Sequence, residues 1–283
     1  MAVDPDELRA RLDAPLVHRE TVPSTNDVAR AEGRDGAAHG TFVVAAEQTA
    51  GRGRTGSVWA SPPGGVWSST LVRPDFAASH VGRLTFAGGL AAAETAEAFG
   101  VDARLKWPND VVLDRGDDTL AKLCGVLTEA VVDEVPVAGK PVDDVLPGTD
   151  PEAADLSFAV LGIGVNASLD PGDLDVGDRE VATLREEAGG VDATEVAATL
   201  HDRLLDWVAT VETDDGFEDA IEAFRERSAT LGERVEVTRR NDDGDGPVVG
   251  EATSVTAQGA LVVDTGERRV AVREGECRRL RRT

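Results

Sequence analysis

The sequence predicts an α/β domain over residues 1–230 and a small β-barrel over residues 231–283, and three observations carry that reading. Apolar strand-like runs and helix-periodic stretches fill the chain as far as Ser228. After Leu231-Gly232 the texture changes to short β-rich pieces separated by turns rich in Gly and Asp. The length of 283 residues and an apolar content of 41% also suffice for one large core and a small one.

The first element is a short helix through Leu8 and Leu12, followed by an extended segment from Leu16 to Val22. Pro23-Ser24-Thr25-Asn26 then supplies capping side chains for a helix through Val28 and Ala31. Thr41 to Ala46 reads as a buried strand, and Gly65 to Val72 alternates like a half-buried one. Thr85 to Phe99 is Ala-rich and stops at Gly100, which predicts a helix. Strands are predicted at 103–107, 110–113, 123–132 and 158–165. Between the last two, Asp133 to Asp155 is rich in Pro, Gly and Asp and reads as an exposed insertion. Val196, Leu200, Leu204 and Val208 (or Trp207) recur at helical spacing within 194–211, as do Phe217, Ile221 and Phe224 within 217–228. The barrel strands are expected at 234–238, 248–255, 260–263 and 269–272, and no internal repeat is present.

Composition narrows the function classes. The longest apolar runs fall far below a membrane span. The N-terminus lacks the basic and apolar regions of a signal peptide, so a cytoplasmic protein is expected. Two distant cysteines, Cys124 and Cys277, argue against a disulfide framework, and four scattered histidines against a zinc site. The net charge is −24, yet only three of the 29 basic residues are lysines: Lys106, Lys122 and Lys140. An acid-rich, lysine-poor surface suits concentrated salt, where at 1 M the Debye length is only about 3 Å. Such a balance disfavours nucleic acid as the main ligand.

Against this background the stretch from Gln48 to Pro74 stands out. It contains no Asp or Glu, where proportion predicts about five, and it carries Arg52, Arg54 and Arg73. Its centre, Gly51-Arg52-Gly53-Arg54-Thr55-Gly56, satisfies both G-x-G-x-x-G and the glycine frame of a phosphate loop. Neither motif applies. Ser57 stands where a phosphate loop needs Lys, and Ser57 to Pro63 cannot continue as the helix that a dinucleotide fingerprint requires. The remaining readings are an ordinary basic hairpin or a closing loop whose two guanidiniums grip phosphate or carboxylate oxygens.

Lys106-Trp107-Pro108-Asn109-Asp110 is good turn chemistry, but it also places a scarce lysine four residues from a carboxylate, a pair able to orient phosphates or hold magnesium. Lys122 leads into the apolar strand Leu123-Cys124-Gly125-Val126-Leu127, either as a snorkelling strand end or as a cation kept for chemistry. Cys124 beside it has no evident base and reads as a small buried side chain. Gly162-Ile163-Gly164-Val165-Asn166 ends a strand with an amide that can donate and accept.

Taken in order, these motifs resemble one family, the biotin–protein ligases. The matching stretches are Ser24-Thr25-Asn26, Glu47 to Arg54, Trp59 with Ser61-Pro62, Lys106 to Asp110, Lys122 to Leu127, and Gly162 to Asn166. The terminal segment with Gln258-Gly259-Ala260-Leu261 looks like that family's SH3-like domain. The resemblance implies an α+β fold: a mixed-sheet catalytic domain flanked by helices, like the class II aminoacyl-tRNA synthetases, with a small SH3-like barrel. It implies that biotin and Mg-ATP form biotinyl-5′-AMP, from which biotin passes to a lysine of a biotin carboxyl carrier protein or domain. By resemblance Ser24, Thr25, Asn26 and Gln48 bind biotin's polar ring, and Gly125 lines the pocket. Gly51, Arg52, Gly53 and Arg54 belong to the loop closing over carboxylate and phosphates. Trp59 stacks on adenine and Asn166 reads its edge. Lys106, Asn109 and Asp110 serve phosphates and metal, and Lys122 polarises the reacting carboxylate. Which residue ligates magnesium is left open, and so is whether the protein forms a homodimer.

Only 23 residues precede Ser24, so the winged-helix DNA-binding domain of bifunctional repressors is not expected. A lipoate–protein ligase is the nearest rival, against which Trp59 and Ser61-Pro62 speak. A non-catalytic carrier-binding protein is the other, disfavoured by Arg52, Lys106, Asp110 and Lys122 occurring together.

Overall fold

The structure, a computed structural model, describes residues 2–54, 56–116, 119–132, 135–138, 154, 156–174, 176–177, 179–238, 246–256, 258–273 and 275–280. Its larger part is a mixed sheet with helices on both faces. Helix α1 (Pro5–Arg11) starts at Asp4, whose carboxylate accepts from the backbone N–H groups of Asp6 and Glu7. Two turns of helix would not persist alone in water. Burial of Leu8 against α5 (Ala193–Thr210) holds it, a contribution of about 1.5–3 kcal/mol.

The sheet contains β1 (Leu16–Val22), β2 (Phe42–Gln48), β3 (Val66–Val72), β4 (Arg104–Lys106), β5 (Asp110–Asp114), β6 (Leu120–Val132), β7 (Val135–Ala138) and β8 (Leu156–Val165). Their order is β1-β2-β3-β8-β6-β5-β4, with β7 paired to β6. β1 and β2 are parallel, joined through α2 (Thr25–Arg34), and the other pairs are antiparallel. Strand alternation distributes the core. Phe42, Val44, Leu161 and Ile163 face the helices α3 (Gly82–Ala98), α5 and α6 (Asp214–Arg227). Val43, Leu71, Phe158 and Val160 face the α2 side.

This two-sided cover corrects one expectation. β3 is buried at all seven positions, because β2 and β8 flank it while α2 and α5 cover its faces. Its polar residues are satisfied internally: the hydroxyl of Ser68 donates to the carbonyl of Ile163, and Ser69 bonds Thr25 and Asn26. Polar alternation in β3 therefore marks internal bonding, not a solvent face. Helix α3 starts three residues before the expected Thr85, and a short helix α4 (Leu184–Ala188), capped by Thr183, was not anticipated. In the 133–155 stretch, residues 135–138 form β7; apart from Ala154, which is buried, the remainder, Lys140 included, lies outside the described residues.

The C-terminal segment forms a five-stranded antiparallel sheet in the order β12-β11-β10-β9-β13. Its strands are β9 (Arg234–Thr238), β10 (Val248–Val255), β11 (Leu261–Asp264), β12 (Arg269–Val272) and β13 (Glu276–Arg279). Among the described residues no ladder joins the edge strands β12 and β13. The core of this sheet runs continuously into the main one. Buried Trp107 ties the two together: its backbone N–H donates to Thr230 Oγ1 at 3.0 Å, and its indole N–H to the carbonyl of Gly259 at 3.1 Å.

Candidate functional site

A cleft of about 450 Å³ opens where β2 and β8 end beside the first half of β6, near the start of α2, bounded by the β4–β5 turn and by residues 275–277 before and within β13. That volume is of the size that encloses a cofactor-sized ligand. Its walls differ in chemistry from one end to the other.

One end is polar and uncharged. Ser24 begins α2, yet its side chain makes no capping bond, and together with Thr25 and Asn26 it lines the cleft. Gln48 Oε1 accepts from the backbone N–H of Thr25 at 2.8 Å and from its hydroxyl at 3.1 Å. Gln48 Nε2 donates to Ser61 Oγ at 2.9 Å, and Asn26 Nδ2 to the carbonyl of Leu127 at 3.4 Å. Ser24, Thr25 and Asn26 are buried, Gln48 is half-buried, and the group is mutually oriented, which favours hydrogen-bond readout of a polar, uncharged ligand group.

The glycine-arginine segment is a hairpin folded back over the end of β2. Gln48 N–H bonds the carbonyl of Ser61, Trp59 N–H that of Gly51, and Gly53 N–H that of Ser57. Gly51 lies at its base and does not line the cleft. A Cβ there would stand 2.5 Å from the carbonyl oxygen of Trp59, a backbone atom, so glycine is required by close approach. Arg52, Gly53 and Arg54 line the cleft.

Arg52 is not facing solvent alone. Its Nη1 and Nη2 donate to the two carboxylate oxygens of Asp27 at 2.9 and 2.7 Å, and Nη2 lies 3.6 Å from Glu129. Arg30 bonds the same two carboxylates. The bidentate bond from Arg52 pulls Asp27 below the usual carboxylate range, and the same bond raises the Arg52 guanidinium. The acids missing from the loop's own sequence are thus supplied by α2 and β6.

Lys122 and Asp110 form an ion pair at 2.7 Å. The sequence had set Asp110 beside Lys106 instead. Those two residues stand opposite each other across the β4–β5 hairpin, but the ion pair that Asp110 makes is with Lys122 of the neighbouring strand β6. The Lys122 ammonium also stands 4.8 Å from the centroid of the Trp59 indole. That indole packs into a groove left by two missing side chains. A Cβ at Gly164 would come within 2.5 Å of it, and one at Gly125 within 2.9 Å. Among the described residues its buried Nε1 has no hydrogen-bond partner. Lys106 and Asn109 line the cleft as well, and Asn109 Nδ2 donates to the carbonyl of Val126 at 2.7 Å, which fixes the turn to β6.

Asn166, like Gly51, is an expected ligand contact set apart from the cleft. It is buried behind Trp59 beside a second, small cavity of about 30 Å³, and its Nδ2 donates to the carbonyls of Lys122 and Ala182. Its amide nitrogen therefore holds β6 and β8 to the following loop.

Sequence reasoning missed several wall residues. Arg179, Glu180, Glu276 and Cys277 line the cleft from segments remote in the chain, with no local motif to flag them. Glu129 could have been found, as a lone acid within an apolar strand run. Counting the lining side chains, Arg52, Arg54, Lys106, Lys122 and Arg179 oppose Asp110, Glu180 and Glu276, so the cleft is locally cationic in an acidic protein. Neither cysteine is a nucleophile here. Burial pushes the Cys124 thiol far up and that of Cys277 to about 11. Both are free, as the sequence predicts.

Comparison with known proteins agrees with this geometry. Residues 19–139 match the biotin/lipoate A/B protein ligase family, and residues 230–279 the biotin protein ligase C-terminal domain. The bifunctional ligase/repressor BirA of Bacillus subtilis is 32% identical over 177 residues, 62% of this chain; the chain spans about half of that relative, 47% of its length. The biotin–[acetyl-CoA-carboxylase] ligase of Paracoccus denitrificans is 32% identical over 200 residues, 69% of this chain and 73% of that protein. The biotin protein ligase of Aquifex aeolicus, solved in complex with biotin and ATP, shares the fold with a TM-score of 0.70 at 24% identity, over 95% of this chain and 99% of that one. With both family matches in chain order and identity sustained over most of a dedicated ligase, the chain belongs to the biotin–protein ligase family.

Proposed function

We propose that this chain is an ATP-dependent biotin–protein ligase. The observation that carries the reading is the polarity of the cleft described above. A hydrogen-bonded uncharged end (Ser24, Thr25, Asn26, Gln48) leads into a cationic end (Arg52, Arg54, Lys106, Lys122). Biotin has that layout, a ureido ring at one end and a carboxylate at the other, and ATP adds a triphosphate beside the carboxylate.

In the first step a carboxylate oxygen of biotin attacks the α-phosphorus of ATP. The new P–O bond gives biotinyl-5′-AMP, and the bond to the β-phosphate breaks to release pyrophosphate. In the second step a carrier lysine amine attacks the acyl carbon, an amide forms, and AMP leaves. Two anions must approach each other, so preorganised positive charge is the main requirement. Lys122, held by Asp110, neutralises the carboxylate and mixed anhydride; Arg52 and Arg54 close over carboxylate and phosphates; Lys106 meets the phosphates. Gly51 and Gly53 shape the hairpin that carries the arginines. Trp59 offers adenine a face to stack on, with Asn166 behind it and Gly125 beneath. Asn109 keeps the β4–β5 turn at the phosphates.

Among the described residues no group of three His, Cys, Asp or Glu could hold a metal ion. Magnesium accompanying ATP would find Asp110 as a carboxylate of the cleft wall, and it would supply charge neutralisation of the phosphates. The partner we infer is a biotin carboxyl carrier domain and not nucleic acid, given the acidic exterior. No helix among the described residues is long and apolar enough to cross a membrane. The cytoplasm belongs to the same proposal as the place of action. The division at residue 231 separates the catalytic unit from the terminal sheet, and the lysine-poor acidic surface is read as salt-adapted.

ATP–pyrophosphate exchange measured with biotin, lipoate or no acid tests the proposal. Exchange with biotin alone is expected. Exchange with lipoate alone would assign the other branch of the family, and none with either acid would point to a binding protein.

A further inference from the structure

Beneath the hairpin, Asp27, Arg30, Arg52 and Glu129 alternate in charge as a closed group of four. Glu129 is the innermost, its side chain 4% exposed on β6, while those of Asp27 and Arg52 are 35% and 37% exposed. A buried carboxylate needs its charge compensated, and here two guanidiniums share that duty. Were Arg52 to leave for a ligand, two carboxylates would face Arg30 alone, one of them away from water. That arrangement is unfavourable, which favours keeping Arg52 on Asp27. Its Nη1 and Nη2 are taken by Asp27, and among the described residues its Nε–H bonds nothing. A bidentate grip also fixes the plane of the guanidinium.

We propose that Asp27 is a positioning residue for the anion-binding hairpin: backed by Arg30 and Glu129, it holds Arg52 across the mouth of the cleft so that the free edge of the guanidinium meets the carboxylate of the acid substrate. Asp27 touches no substrate itself. The idea rests on the reading of the cleft as a biotin and ATP site. It also accounts for a chain feature which that reading leaves aside, the placement of Asp27 in the first turn of α2, one residue after the polar Ser24-Thr25-Asn26 group.

The test compares Asp27→Asn with Asp27→Glu by calorimetric binding of biotin and of its uncharged alcohol analogue, biotinol. Asp27→Asn should weaken biotin about tenfold, the scale of one misdirected charge-assisted hydrogen bond, and leave biotinol unchanged; Asp27→Glu should restore most of the loss. Equal weakening of both ligands, or none of either, would overturn the proposal, since a merely structural role predicts one of those. Amide hydrogen exchange of residues 51–58 in the ligand-free protein supplies an arm independent of biotin. Faster exchange in Asp27→Asn is expected, and identical exchange counts against the proposal. A wild-type protein that binds neither ligand would defeat the functional reading, while the exchange arm still decides the role of Asp27. Should Asp27→Asn not fold, Asp27→Ser takes its place.

Discussion

Lys122 brings together the ion pair with Asp110, the indole of Trp59 and the floor of the cleft, so its loss should be read in chemistry more than in folding. In Lys122→Ala the Asp110 carboxylate would face the reacting anions uncompensated. We expect biotin-dependent pyrophosphate release to fall by 10²–10³ or more, roughly what one preorganised donor contributes at a developing charge, with the melting curve little changed. Wild-type release would remove Lys122 from the mechanism. His201 is a different kind of residue: buried, stacked on Phe42 and, among the described residues, with Nε2 unpartnered, it has no part in the cleft. Burial lowers its pKa to about 4 from the ordinary 6.5. Above pH 6.5 it is neutral in both folded and unfolded chains and has no effect on stability. As pH falls from 6.5 towards 4 only the unfolded chain takes up the proton, and stability declines, reaching a loss on the order of 3 kcal/mol near pH 4. Denaturant melts of wild type and His201→Gln between pH 7 and 4 should therefore converge as the pH drops. Parallel curves would contradict the assignment.

At the scale of elements, the hairpin 51–59 and the β4–β5 turn are where sequence and structure meet most closely, and for a physical reason. Both are local: their glycines, Pro108 and scarce cations lie within ten residues of one another, and the backbone bonds that shape them join near neighbours. Strand and helix positions were legible on the same ground, since apolar periodicity is local. What could not be read is what arrives from elsewhere. Asp27 and Glu129 reach Arg52 only because α2 packs on β8, the partner strand of β6, and β13 reaches the cleft through pairing with β9. The pairing of Asp110 with Lys122 likewise depends on β5 lying beside β6, which spacing within one segment does not encode. The terminal sheet is held to the cleft through Trp107. Replacing it by Phe keeps most of the ring but strands the carbonyl of Gly259, an expected cost of about 1–3 kcal/mol in a denaturant melt. Residues 275–277 should then sit less firmly, so KM for ATP should rise while KM for biotin stays near wild type. A rise in neither would mean that the terminal sheet does not shape the nucleotide end.

For the whole molecule the governing quantity is a net charge of −24, from 53 acids against 29 bases, surrounding a cleft whose lining is cationic. At 0.1 M salt the Debye length is about 10 Å, so neighbouring carboxylates repel across the surface and the exterior also repels the anionic substrates. At 1 M it shrinks to about 3 Å, below the spacing of most surface charges, and that repulsion is removed. The surface ion pairs, each contributing only about 0–1 kcal/mol, lose little by comparison. The Arg52 and Lys122 pairs lie partly inside the cleft and are screened less. Both stability and substrate capture should therefore improve as KCl rises from 0.1 to about 1 M, where an ordinary anion-binding enzyme would lose affinity. Melts and KM for biotin measured along a KCl series test this, with sucrose at matched osmolality separating charge screening from exclusion of solute from the surface. Stability that is flat or falling with KCl, or a gain reproduced by sucrose, would mean that the acidic surface is not an adaptation to salt.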